Sequence, residues 1–164
     1  MNRKIQAGFT LVELIVVIVI LGILAAVALP RFMGLEREAR IAAVKSLGGT
    51  LQSAAQMAHG VCLAQNCAAN ATITIEGVPV TFALQYPNNA SIAALVQTTE
   101  GFTLSQANRR FTKTGAVTGN CWVQYNQATA GANGAINPPT LTYHNIVMSA
   151  AQEAAINTDL HTQC

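Results

Sequence analysis

One apolar run dominates the first part of the chain. From Phe9 to Leu29, 21 residues are almost all apolar, and the carboxylate of Glu13 is the one charge among them. As an α-helix this run is about 32 Å long, which is enough to cross the hydrocarbon core of a membrane. A charge at the centre of a membrane helix costs about 2.5–3.5 kcal/mol. The pattern therefore predicts a membrane-length helix in which Glu13 has a partner.

A second helical pattern follows the apolar run without a boundary. Apolar residues recur every three to five positions and face a charged side that includes the i,i+4 pair Glu36 and Arg40. The stripe comprises Phe32, Leu35, Ala39, Ala42, Leu47, Leu51, Ala54 and Ala58. Both patterns together predict one helix of about fifty residues. Gly22 weakens it and Pro30 removes a ladder hydrogen bond, so we expect a kink near Gly22–Pro30, where the helix can also unwind.

After Gly60, short alternating segments replace the helical stripe. The residues on either side of Glu76-Gly77 alternate in polarity, which predicts a β-hairpin. A short helix is expected in YPNNASIAALVQ, capped by Asn89 or Ser91, and a helical turn over Ser149–Ile156. Four more strands are predicted over Phe102–Leu104, Arg110–Lys113, Cys121–Tyr125 and Leu141–Tyr143. The predicted fold class is α+β, with a long N-terminal helix packed on a small antiparallel sheet.

All four cysteines, Cys62, Cys67, Cys121 and Cys164, follow the apolar run. If that part of the chain is exported, the even count favours disulfides, and four cysteines allow three connectivities. Proximity suggests Cys62–Cys67, which leaves Cys121–Cys164 to close a long loop and to contribute about 3–4 kcal/mol. A metal site at His59, Cys62 and Cys67 fits no closed zinc pattern and lacks a fourth ligand. We therefore expect neither a metal nor a cofactor.

The charge distribution gives no broad positive field for nucleic acid. Without Arg3 and Lys4, seven basic residues balance seven acidic ones. Arg109, Arg110 and Lys113 form a local basic patch, which we interpret as a solvated strand edge that discourages aggregation. Binding of DNA is the alternative interpretation of this patch.

Three interpretations of the apolar run compete. The first is a secretory signal cleaved after Ala26-Val27-Ala28, but the run is long for such a signal and contains Glu13. The second is a plain membrane anchor, which explains neither Glu13 nor the helix that continues beyond Pro30. In either case Arg3 and Lys4 predict a cytoplasmic N-terminus.

The third interpretation comes from a resemblance to a known family. The junction Gly8-Phe9-Thr10-Leu11-Val12-Glu13, placed between a short basic leader and a long apolar run that ends at Pro30, resembles the type IV pilins. The resemblance implies that a prepilin peptidase cleaves between Gly8 and Phe9 and that the new Phe9 amine is methylated. It also implies that Glu13 pairs with this amine of a neighbouring subunit during assembly, with Gly22 and Pro30 inside the assembled helices. The alternatives for Glu13 are its own Phe9 amine or protonation.

The resemblance further implies a domain order and a role. Residues 1–8 are a leader, 9–30 a transmembrane and fibre-core helix, 31–60 its amphipathic continuation, and 61–164 a β-rich periplasmic or extracellular head. The protein is then a structural subunit and not an enzyme. It waits in the inner membrane until an assembly platform draws it into a homopolymeric surface fibre for adhesion, biofilm formation or motility.

Within the family, the hairpin and the CWVQY segment look most like the mannose-sensitive haemagglutinin-type pilins. Cys121–Cys164 resembles the pair that staples the C-terminal loop of many pilins, and Trp122 and Tyr125 are expected to contact surfaces or neighbours. A type II secretion pseudopilin and a DNA-binding minor pilin are the alternatives. Glu153 and Asp159 are too few for the calcium site that major pseudopilins usually carry, so the sequence favours a pilus.

Overall fold

The structure is a computed structural model that describes residues 9–96, 99–105, 109–116, 119–144, 146–149 and 152–164, with Met33 and Val147 described only in their backbone. Two compact units divide the chain, Met1–Arg37 and Glu38–Cys164. The predicted leader, and with it Gly8, lies outside the described residues.

The first helix, α1, begins at Leu11 and ends at Ala64, 54 residues later. It runs through Gly22 and Pro30 as one assigned helix, which confirms the predicted length. The kink and the unwinding near these two residues remain predictions. The long helix forms because leucine and alanine have high helix propensity and because its second part buries a face in the head.

In the described part of the second unit there are ten short strands, and every pairing found between them is antiparallel. Three sheets result, with the strand orders β1-β2-β3, β10-β9-β6-β5-β4 and β7-β8. The strands are β1 Thr72–Ile75, β2 Val78–Ala83, β3 Tyr86–Pro87, β4 Phe102–Ser105, β5 Arg110–Lys113, β6 Trp122–Asn126, β7 Thr129–Ala130, β8 Ile136–Asn137, β9 Thr140–Tyr143 and β10 Ile146–Val147. The helices are α2 Ile92–Leu95 and α3 Glu153–Gln163. The predicted hairpin and the four further strands are confirmed.

The buried face of α1 differs from the predicted stripe. Leu47, Leu51 and Ala58 are buried as expected, but Ala39 and Ala42 are exposed. Ile41 and Val44 are buried instead, and with Leu47, Leu51 and Ala55 they join the main core. The larger side chains occupy the sheet-facing side because they remove more apolar surface from water than alanine does. The face therefore turns by about 100° from the predicted one at this point of the helix.

A buried tyrosine joins the five-stranded sheet to the three-stranded one. Tyr125 on β6 is 1% exposed, and its hydroxyl donates a hydrogen bond to the carbonyl oxygen of Pro87 on β3 at 3.0 Å. Burial, together with the nearby phenol of Tyr86, raises the pKa of Tyr125 far above its usual range. The group therefore stays a neutral donor, and it satisfies a carbonyl in a residue that is itself buried.

A glycine on α1 makes room for a second tyrosine. A Cβ at Gly48 would overlap the hydroxyl and ring of Tyr143 on β9, whereas a Cβ at Gly49 would meet no atom within 4 Å. Gly48→Ala is expected to lower the free energy of unfolding by about 1–3 kcal/mol, because overpacking outweighs the gain in helix propensity. Gly49→Ala, the matched control, is expected to raise it by up to about 1 kcal/mol. Urea unfolding of the purified protein checks both changes, and equal effects at the two positions would contradict the packing argument.

The C-terminus of α1 is closed by a disulfide. Asn66 has a positive φ of 50°, the N–H of Cys67 donates to the carbonyl of Cys62, and that of Asn66 donates to Leu63. This hydrogen-bond pattern is a Schellman motif, in which the residues at the positions of Cys62 and Cys67 usually make an apolar contact. Here the disulfide Cys62–Cys67 takes the place of that contact. The bond therefore fixes the helix end covalently.

Two helical predictions are wrong in detail. At α2, Ser91 is the N-cap residue, as one of the two alternatives predicted, but its hydroxyl accepts from Thr81 N–H and makes no capping bond. Asn89, the other alternative, pairs with Gln127. Asn88 instead accepts hydrogen bonds from the N–H groups of Ala90 and Ser91. The predicted C-terminal turn is longer and lies later in the chain, as the 11 residues of α3. Its buried Ile156 and Leu160 are spaced one helical turn apart, which explains why the helix continues.

Candidate functional site

The predicted cleavage junction leads directly into the first turn of α1. Thr10 precedes the helix, and its N–H and its hydroxyl both donate to Oε2 of Glu13, each at 2.8 Å. In return the N–H of Glu13 donates to the Thr10 hydroxyl at 3.3 Å. These reciprocal bonds form a capping box, which satisfies N–H groups that the first helical turn leaves without a partner. The Thr-x-x-Glu spacing of Thr10 and Glu13 is the sequence signal that could have predicted it.

The capping box gives Glu13 a hydrogen-bond partner within its own chain. From the sequence, the alternatives within one chain are that Glu13 pairs with its own Phe9 amine or that it is protonated. In the structure, Thr10 is the hydrogen-bond partner of Glu13. Both bonds go to Oε2, and within the described residues Oε1 of Glu13 accepts no hydrogen bond. A carboxylate accepts about four hydrogen bonds, so this side chain keeps acceptor capacity for a further donor.

Apolar side chains surround the capping box and continue along the helix. Phe9 is 93% exposed, and the large apolar side chains that the structure describes between Leu11 and Leu35 are between 46% and 72% exposed. This helix is long and apolar enough to cross a membrane by length and composition. An unbroken apolar surface of this size is unfavourable in water, so it requires lipid or protein around it.

The cysteines and the nearest histidine form no metal cluster in the described chain. Cys62–Cys67 and Cys121–Cys164 are disulfides, so no thiolate is available as a ligand. The bond Cys121–Cys164, expected from the resemblance, is confirmed. His59 donates from Nδ1 to the carbonyl oxygen of Gln85 at 2.8 Å, and its ring stacks on Tyr86 at 3.9 Å.

The three basic residues of the predicted patch do not share one face. Arg110 and Lys113 lie three residues apart on β5, and the alternation of a strand puts them on opposite faces. Arg110 lies over the ring of Trp122 at 3.9 Å and donates to Gln124, while Lys113 donates to the carbonyl oxygen of Gly101. The structure therefore weakens the DNA-binding alternative.

The aromatic residues expected at a contact surface are instead buried. Trp122 is 3% exposed and Tyr125 is 1% exposed. Arg110 covers one side of the Trp122 ring, and His144 lies 5.7 Å from it. The prediction that both aromatics contact surfaces or neighbours is therefore wrong for the head as described.

Comparison with known proteins finds one family motif near the N-terminus and several partial matches to fimbrial proteins. The family model described as the prokaryotic N-terminal methylation motif matches residues 3–29. The fimbrial protein EcpC of Eikenella corrodens is 34% identical over 97 residues, which are 57% of this chain and 59% of that protein. The type IV narrow pilus major component PilA5 of Thermus thermophilus is 51% identical over 47 residues, 29% of this chain and 40% of that protein.

A relative from another class also matches part of the chain. The type II secretion system core protein G of Pseudomonas aeruginosa is 49% identical over 45 residues, 27% of this chain and 32% of that protein. The matched part spans about a third to three fifths of the length of these relatives. No solved structure matches the chain. In its methylation motif, its fimbrial relatives and its long helix packed on antiparallel sheets, this chain is similar to the type IV pilins.

Proposed function

We propose that this chain is a structural subunit of a helical surface filament. The observation that carries the proposal is the first unit, in which a methylation motif leads into a helical segment, up to Leu35, whose described large apolar side chains are all about half exposed or more. One chain leaves this surface uncovered. A membrane covers it in a single subunit, and the same helices of other copies cover it in a polymer.

Processing prepares the N-terminus for assembly. A peptidase removes residues 1–8 in the inner membrane, and the α-amine of Phe9 that this cleavage releases is methylated. A free α-amine has an ordinary pKa near 8, so it is mostly cationic at neutral pH. Glu13 lies one helical turn away, and its capping box holds the carboxylate at the start of the helix.

The central assembly contact joins Glu13 of one copy to the Phe9 amine of its neighbour. Each charge alone is expensive in an apolar bundle, and the pair offsets much of that cost. Thr10 occupies Oε2 within its own chain, so Oε1 is the atom that we assign to the neighbouring amine. The contact sets the register between helices, because only one stagger brings the two charges together. Adhesion, biofilm formation or motility follows from the fibre.

A secretion pseudopilus is the second candidate, because the matched relative from Pseudomonas aeruginosa is named a type II secretion system core protein. The two functions differ in where the polymer lies. A pilus extends from the cell and can be sheared off, whereas a pseudopilus acts within the envelope. The likeness of the head to mannose-sensitive haemagglutinin-type pilins stays a prediction.

Shearing tests the choice between the two. Cells that express the chain at its native level are sheared and the supernatant is sedimented at high speed. We expect fibres that contain this chain as their main component. If the chain stays with the cells while secretion into the medium fails in its absence, the pseudopilus is correct.

A further inference from the structure

A cleft of about 650 Å³ opens in the head beside the second half of α1. Its floor is apolar and includes Leu141, Tyr143, Met148 and Ile156, while Lys45 lies on the α1 wall and Glu153 at the first residue of α3. A volume of this size falls within the range of about 300–1,000 Å³ that binding pockets occupy. The cleft is therefore large enough for one or two side chains of a partner.

The two charges of the cleft have no ionic partner among the described residues. Two other carboxylates of the head lie beside a histidine, which is an ionic partner when it is protonated: Glu38 lies 3.3 Å from His161 and Asp159 lies 2.9 Å from His144. A partner that fits the cleft therefore brings an apolar side chain for the floor, an acid for Lys45 and a base for Glu153. This combination excludes a simple ion and a purely apolar ligand.

One short stretch of the same chain offers that combination on an exposed surface. Phe32 is 65% exposed and Leu35 is 63% exposed. Arg31 precedes them and Glu36 follows them, all within α1. The other exposed large apolar residues of the described chain, such as Met57, Leu63 and Ile136, have no such pair of opposite charges beside them in sequence. The stretch 31–36 is thus complementary to the cleft in both charge and polarity.

We propose that the cleft of one copy receives the stretch 31–36 of a second copy in the filament. Leu35 lies on the apolar floor, Glu36 faces Lys45, and Arg31 faces Glu153. The inference rests on the proposed function, which brings copies together along their helices. It adds a contact between helix and head to the contact between Glu13 and the Phe9 amine. The head then also helps to fix the register between neighbouring copies.

Exchanging charges tests this contact. Lys45→Glu and Glu36→Lys each place like charges together, so each is expected to lower the yield of sheared fibres about tenfold or more. The double variant Lys45→Glu/Glu36→Lys restores opposite charges and is expected to recover most of the wild-type yield. The same result is expected for the second charge pair: Glu153→Lys and Arg31→Glu each lower the fibre yield, and the double variant Glu153→Lys/Arg31→Glu recovers most of it. Arg37→Glu is the matched control on the same helix and is expected to assemble normally.

The outcomes separate this inference from the proposed function. Failure of the wild type to form any fibre refutes both. Fibres from the wild type with normal yields from both single reversals, or a double variant no better than the singles, refute the cleft contact alone. Loss of fibres with Arg37→Glu equal to the loss with Arg31→Glu also refutes it, because both substitutions replace a base by an acid on the same helix and the effect is then one of total charge. Equal amounts and equal unfolding midpoints of each variant in the membrane fraction show that folding is unchanged.

Discussion

Replacing Glu13 by alanine is expected to leave a stable membrane protein that assembles at least roughly a hundredfold less efficiently than the wild type. The reason is the charge that remains. Without Glu13 the Phe9 amine of the neighbouring copy enters an apolar bundle unpaired, and removing one partner of a buried pair costs about 3–5 kcal/mol. Fibre yield after shearing, divided by the amount of chain in the membrane, measures the effect.

Two variants separate the charge of Glu13 from its capping role. Glu13→Gln keeps an amide oxygen that accepts from Thr10, since glutamine serves at this position of a capping box as glutamate does. We expect it to fail in assembly nearly as badly as Glu13→Ala. Thr10→Val removes the hydroxyl donor but keeps the N–H donor, and it is expected to reduce assembly only slightly. Normal fibre yield from Glu13→Gln would sink the pairing argument and leave only helix capping.

Removing the disulfide Cys121–Cys164 is expected to be the most destabilising change in the head. The bond spans 43 residues and ties the end of α3 to the start of β6. On the loop-entropy model, its loss in Cys121→Ala/Cys164→Ala lowers the free energy of unfolding by about 4 kcal/mol. What remains at this end is the burial of Ile156 and Leu160 together with polar contacts, among them the contact of Asp159 with His144 and a hydrogen bond from Arg40 to the main-chain oxygen of Cys164.

The second disulfide provides the matched control. Cys62–Cys67 closes a loop with a separation of only 5 residues, so Cys62→Ala/Cys67→Ala is expected to cost about 2 kcal/mol on the same model. Limited proteolysis and urea unfolding of the full-length protein in detergent measure both. We expect cleavage near α3 only in the Cys121→Ala/Cys164→Ala variant. A larger loss of stability from the Cys62–Cys67 pair would contradict this ranking.

The parts of the fold that follow from local patterns were predictable. The long helix, the hairpin at Glu76-Gly77 and the four main strands each carry a periodicity within a few residues. The two-residue strands β3, β7, β8 and β10 carry none, because their pairing depends on how distant segments meet. The stretch between Gln127 and Thr140 contains the small sheet β7-β8, which no local pattern in the sequence indicates.

Other features depend on long-range contacts that a single sequence does not show. Gly48 is a packing position because Tyr143 lies across it, about a hundred residues away. Trp122 is buried because Arg110 covers it from the neighbouring strand. Leu84 and Gln85 both have positive φ, which the hydrogen bond from Leu84 N–H to Asn70 and that from His59 to the carbonyl of Gln85 help to hold.

The candidate functional residues also include some that a local pattern predicts and some that depend on long-range contacts. The Thr10–Glu13 capping box is local, and its spacing was legible in the sequence. The cleft at Lys45 and Glu153 brings residues of α1 together with residues of β9 and α3, which lie about a hundred positions later in the chain. No sequence motif predicts such a cleft. The cleft exists only in the folded head, where Lys45 and Glu153 line the same space.

The measurement that tests the account most directly is intact mass with N-terminal sequencing of the chain recovered from sheared fibres. The account predicts a chain that starts at methylated Phe9 and contains all four cysteines in disulfides. That result places the cationic amine beside the start of α1, where Glu13 of a neighbour can reach it. A chain that starts at Met1, or at Leu29 after cleavage of a secretory signal, would contradict the account, because the amine or the whole assembly helix would then be absent.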